Sequence, residues 1–149
     1  MQVILIPGLF GHIATFASLR RRLERAGHTV HEPGFKVTTL MRDELGCLLH
    51  TLDEVGPCVL VGHSAGGLLA VLAAQARHPN IVSVIGLGTP MLGKVKLPVP
   101  WYEARSLQGL FLPLSGPNET KRFPITHALL PMLPCLQDWI ASKLRNEND

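Results

Sequence analysis

The stretch Cys58-Val59-Leu60-Val61-Gly62-His63-Ser64-Ala65-Gly66-Gly67-Leu68-Leu69-Ala70 decides the fold. Cys58 to Val61 is a short, uninterrupted apolar run, as expected of a strand covered on both faces. From Ala65 to Arg77 the chain is rich in Ala and Leu, which predicts a helix apolar on most sides and therefore central. Gly62-His63-Ser64-Ala65-Gly66 is the turn between them. Its serine projects from a strained strand-to-helix corner, and the flanking glycines let strand and helix pack closely around it. The helix start just behind the serine offers free N–H groups and a positive dipole end, which favour a developing oxyanion. A glycine-rich turn without chemistry is the plainer account. The strand and helix on either side, in that order, weigh against it.

The same alternation extends outward in both directions. Val3 to Ile6 reads as a buried strand stopped by Pro7-Gly8. Ile13, Phe16, Leu19 and Leu23 recur at helical spacing, and Gly27 ends that helix. Thr29 to His31 reads as a short strand. Leu45, Leu48, Leu49 and Leu52 mark a second amphipathic helix, with Thr38 or Thr39 as its cap. Ile81 to Leu87 is a further strand. Beyond Pro90, prolines at 98, 100, 113, 117 and 124 break the pattern into short pieces, with a strand-like segment at Arg122 to Ile125. Pro131 to Leu144 closes as a helix with Leu136, Trp139, Ile140 and Leu144 on one face. The expectation is one α/β domain over residues 1–149, with about six mostly parallel strands and helices on both faces.

Composition narrows the function classes. The chain has 46% hydrophobic and 17% charged residues, which suits a packed core. A net charge of +3 without interleaved aromatics gives no nucleic-acid stripe, and Arg20-Arg21-Arg22 reads as a solvated helix face. Cys47, Cys58 and Cys135 lack metal-ligand spacing, so no metal or other cofactor is expected. They read as reduced thiols, two of them in apolar surroundings, in a reducing, cytoplasmic compartment. No run is long enough to span a membrane, and no signal peptide is expected within these residues, a cleaved one leaving no trace in them.

Several segments together resemble small bacterial lipases and esterases of the α/β-hydrolase family. Ile6-Pro7-Gly8-Leu9 is similar to their oxyanion loop, with proline in place of the usual histidine. Ala26-Gly27-His28-Thr29-Val30 resembles the entry to their next strand. Gly62 to Gly67 looks like their nucleophile elbow, and Leu87-Gly88-Thr89-Pro90-Met91-Leu92-Gly93 like their L-G-T-P turn. His127-Ala128-Leu129-Leu130 is similar to their H-x-x-L segment. The resemblance implies a serine hydrolase acting on a small acyl ester or lipid through an acyl-enzyme. Ser64 is then the nucleophile, and the backbone amides of Leu9 and Ala65 form the oxyanion hole.

In this fold the order is serine, acid, histidine, and only His78 and His127 follow Ser64. His78 lies about 21 Å along the elbow helix and reads as a helix-end cation, which leaves His127 as the base. No aspartate lies between Ser64 and His127. In Val99-Pro100-Trp101-Tyr102-Glu103-Ala104-Arg105-Ser106-Leu107-Gln108-Gly109, Gln108 falls where the family carries its acid. An amide can orient the imidazole but cannot offset its positive charge. Glu119, in a predicted loop, is the alternative acid, and Glu103 is expected within a strand. Ten residues separate Pro90 from Trp101, too few for a helical lid. An acyltransferase or thioesterase on the same residues, or a weakly catalytic binding protein, are the other readings.

Overall fold

The computed structural model describes residues 1–9, 13–38, 41–108 and 113–147. In chain order they form β1 (Gln2–Ile6), a 3-10 turn (Ile13–Phe16), α1 (Ala17–Arg25), β2 (Thr29–His31), α2 (Arg42–Val55), β3 (Cys58–His63) and α3 (Ala65–Gln75). Then come β4 (Ile81–Leu87), β5 (Gly93–Lys94), β6 (Trp101–Gln108), β7 (Leu114–Ser115), β8 (Glu119–Thr126), a second 3-10 segment (His127–Met132) and α4 (Pro134–Asn146). Six strands make one sheet in the order β2-β1-β3-β4-β6-β8, and every neighbouring pair is parallel. The expected α/β architecture is therefore the one observed.

Side-chain alternation builds a core on each face of the sheet. Val3, Leu5, Val59, Val61, Ile85 and Leu87 meet Leu19 and Leu23 of α1 and Leu136, Ile140 and Leu144 of α4. Ile4, Ile6, Leu60, Val84 and Trp101 meet Leu48 and Leu52 of α2 and Leu69 and Val71 of α3. α3 carries apolar side chains nearly all round because α2 covers its outer side. The strand order runs outward in both directions from β1 and β3. Ligands of such sheets bind outside the carboxyl ends at that switch point, which is where Pro7–Leu9 and Ser64 lie.

Several details differ from the sequence reading. Thr38 does not cap α2. The first flanking residue of that helix is Met41 in a left-handed conformation, and the Thr38 N–H and hydroxyl both donate to Glu44 from outside the helix. Thr39 lies outside the described residues. Of the cysteines, only Cys58 is buried, where desolvation pushes its thiol up to about 12. Cys47 and Cys135 are exposed because each falls on the outer side of its helix. α4 begins at Pro134, and the turns before it are 3-10. The Pro90–Trp101 connection holds β5 and no helix.

Candidate active site

Ser64 has φ 54° and ψ −123°, a backbone region that costs a non-glycine residue about 1–3 kcal/mol. The surrounding contacts hold it there. Its N–H donates to the Leu87 carbonyl at 2.9 Å, and its own carbonyl accepts from the Gly67 N–H at 2.9 Å. A Cβ on Gly62 would strike the backbone of Gly66, and one on Gly66 would strike the carbonyls of Ile6 and Pro7. Both glycines are thus required by close approach, of β3 to α3 and of α3 to the end of β1.

That approach brings the loop after β1 against the elbow. A Cβ on Gly8 would lie 3.3 Å from Ser64 Cβ, so the loop after β1 packs directly on the serine. Leu9 follows in that loop and forms an isolated parallel bridge with Val37. Ala65 is the first residue of α3, and its N–H has no carbonyl one turn back to meet.

His127 immediately follows β8, at the carboxyl end of the sheet. Its ring lies on Gly88: a Cβ there would stand 2.5 Å from His127 Nδ1. Gly88 follows Leu87, whose carbonyl holds Ser64, so serine and imidazole flank the same end of β4. Burial, and then the charge of Arg105, hold His127 below its ordinary value, so at neutral pH it is uncharged and able to accept a proton. His63 is a partner that the sequence reading did not single out. Its Nε2–H donates to the His127 carbonyl at 2.9 Å, and the two rings lie 5.1 Å apart. Desolvation outweighs that hydrogen bond and keeps His63 neutral as well.

The acid position splits the expected residues. Gln108 ends β6 in register with Thr126, one residue before His127. Glu119 is not in a loop and is not near His127. It opens β8, in register with Tyr102 at the amino end of the sheet, while His127 follows the far end, roughly 25 Å away along an extended strand. There it accepts from Trp139 Nε1 at 2.7 Å and from Lys143, and those bonds hold its carboxyl below the usual range. Glu119 is therefore corrected from a candidate acid to a tie between β8 and α4. His78 is also remote: its Nε2 meets Asp53 at 3.1 Å beside the end of α2.

A second carboxylate lies closer. Glu103 is fully buried on the α3 side of β6. It accepts from the Thr89 N–H at 2.7 Å, the Thr89 hydroxyl at 2.9 Å and Trp101 Nε1 at 3.3 Å, with Arg105 Nε at 4.0 Å. Burial pushes it up to about 7, against the pull of those donors and of Arg105. Among the described residues no cluster of ligating side chains could hold a metal ion. No helix among them is long and apolar enough to cross a membrane.

A strained serine elbow, a glycine loop packed on it and a histidine after the last strand define a hydrolase of the α/β type. The chain belongs to the alpha/beta hydrolase family, whose profile matches residues 3–143. It is 33% identical over 95 residues to the sn-1-specific diacylglycerol lipase ABHD11 of Danio rerio, a match covering 54% of this chain and 28% of that protein. The Mus musculus protein of the same name is 37% identical over 93 residues, covering 54% and 29%. The match thus spans under a third of either relative. A crystal structure of an alpha/beta superfamily hydrolase from Xanthomonas campestris pv. campestris superposes with a TM-score of 0.76 at 19% identity, covering 97% of this chain and 98% of that one.

Proposed function

We propose that the protein hydrolyses carboxylic esters through an acyl-enzyme on Ser64. The observation that carries this reading is the strained Ser64 corner, placed between a glycine loop and the His127 ring at one end of β4. Ser64 Oγ attacks the ester carbonyl while His127 takes its proton and then returns it to the leaving alcohol. The N–H groups of Leu9 and Ala65 receive the oxyanion. Water then repeats the sequence on the acyl-enzyme, with His127 again as base.

The preferred ester carries an apolar acyl group. The large hydrophobics exposed among the described residues, Leu9, Leu92, Leu107, Leu129 and Met132, all follow or end strands whose carboxyl ends lie on the side of the sheet that carries Ser64. The lipase relatives support the same substrate class. With no helix in the Pro90–Trp101 connection, activity on short soluble esters should rise smoothly with concentration. A sharp jump once the substrate forms an emulsion would count against that open site.

A fluorophosphonate should label the protein, with the adduct on Ser64. Ser64→Ala should lose both labelling and hydrolysis of a short p-nitrophenyl ester, with circular dichroism unchanged. Retained hydrolysis in that variant removes Ser64 as nucleophile. Gln108 favours one other reading, a weakly catalytic binding protein, and labelling of Ser64 without measurable turnover would support it.

A further inference from the structure

We propose that His63 is a positioning residue for His127: its ring N–H, projecting from the elbow, holds the main chain of the residue that carries the base, so that the dipeptide His63-Ser64 sets the place of both reacting groups. The inference rests on the proposed roles of Ser64 and His127. The tie is direct. His63 Nε2 lies 2.9 Å from the His127 carbonyl oxygen, and the two rings are 5.1 Å apart. Burial keeps the His63 ring neutral, with a single N–H. The carbonyl can only accept, so that N–H belongs on Nε2.

The sheet leaves this place to be fixed by something else. β8 is the edge strand, and its pairing with β6 is irregular just before His127. Ser106 faces Phe123 but Gln108 faces Thr126, so β8 advances three residues while β6 advances two. Such a bulge breaks the ladder and re-aims the chain. Directly after it the chain leaves β8 for the 3-10 segment that His127 begins. The bond from His63 pins the chain at that departure.

His63 can serve as a fixed point because it is held on several sides. It ends β3 in register with Leu87 and is buried. Phe16 meets its ring edge-on, with centroids 6.5 Å apart. A Cβ on Gly8 would stand 3.7 Å from His63 Nδ1, so the loop after β1 lies along the other edge of the ring. Ser64, the next residue, donates its N–H to the Leu87 carbonyl, and Gly88 lies under the His127 ring. Nucleophile and base are thus referred to one another by two routes, the main chain at Leu87–Gly88 and the His63 side chain. An apolar side chain would fill the same space without supplying this donor, so packing alone does not call for an imidazole here.

The test compares His63→Phe, which keeps a ring against Phe16 but has no donor, with His63→Gln, whose amide N–H can reach the same carbonyl. On a short p-nitrophenyl ester His63→Phe should lose about 10- to 100-fold in kcat, the scale of a misplaced catalytic group, with KM nearly unchanged. His63→Gln should recover most of that loss. In NMR spectra the His127 ring should show a close contact to the Gly88 Hα in wild type and His63→Gln, weakened in His63→Phe. Long-range nitrogen correlation in wild type should place the His63 proton on Nε2. Unchanged kcat in His63→Phe, or a His63→Gln as slow as His63→Phe, overturns the proposal. A proton on Nδ1 of wild-type His63 overturns it whether or not either variant folds. If the wild type neither labels nor turns over, the ester reading falls, while the proton's position and the ring contact still decide the tie.

Discussion

At the scale of single residues, the question is what supports an imidazole whose usual aspartate is missing. Gln108 stands at the end of β6 beside Thr126, so restoring a carboxylate requires only one substitution. Gln108→Asp should raise turnover, because a carboxylate stabilises the imidazolium that an amide merely orients. The reverse change at a working acid costs about 10⁴-fold in the serine-protease template. Glu119→Gln should leave turnover nearly unchanged, since Glu119 is bonded to Trp139 and Lys143 at the other end of its strand. Steady-state kinetics on one ester separates the two, and a large loss in Glu119→Gln would refute the placement. The turn that carries Ser64 and the place of His127 after the last strand were legible in the sequence because elbow spacing and chain order leave few choices. Glu119 misled because one-dimensional proximity to a histidine says nothing about which end of a strand a residue occupies. The Glu103–Arg105 pair was invisible for another reason: a charged residue in a strand reads as solvent-facing until its neighbours are known.

At the scale of elements, legibility follows hydrophobic regularity. β1, β3 and β4 are continuous apolar runs and were placed within a residue or two. β6 is as long as any strand of the sheet yet gave almost no signal, because buried Glu103 and Arg105 interrupt its inward face. β8 extends well beyond Arg122–Ile125. Its Pro124 argues against a central strand but is tolerated here, since β8 is an edge. The elbow carries the sharpest element-scale prediction. Gly66→Ala puts a methyl group into the carbonyls of Ile6 and Pro7, neither of which can yield without moving β1. The variant should lose about 2–4 kcal/mol of stability by urea denaturation, in the range of severe steric substitutions. Its fluorophosphonate labelling should fall further than that loss explains, because the shift separates Leu9 from Ala65. Stability within about 0.5 kcal/mol of wild type would mean the close approach is relaxed in solution.

At the scale of the whole molecule, buried titrations make stability depend on pH in a way that can be assigned. Glu44 and Glu119 are held below the usual carboxyl value, Glu44 chiefly by the Thr38 hydroxyl and Glu119 chiefly by Lys143. Their contribution is present above about 4.5 and lost as the solution becomes more acid. His63 and His127 are held below 6.5, so the folded state favours their neutral form, and stability rises as pH climbs toward 6.5. Glu103 works in the opposite direction. Its carboxyl is raised from 4.5 to about 7, so the folded protein keeps a proton that the unfolded chain has already released. Its contribution is full below 4.5, declines as pH rises to about 7, and is constant beyond. In wild type alone the histidines partly cancel that decline. Subtracting the profile of Glu103→Gln, whose amide does not titrate, removes every other group. The difference in unfolding free energy, wild type minus variant, should therefore fall by up to about 3 kcal/mol between pH 4.5 and 7 and be flat on either side. Urea midpoints at five or six pH values measure it directly. A difference that does not change with pH would mean that Glu103 titrates alike in the folded and unfolded chains, so that the layer between β6 and α3 is open to water.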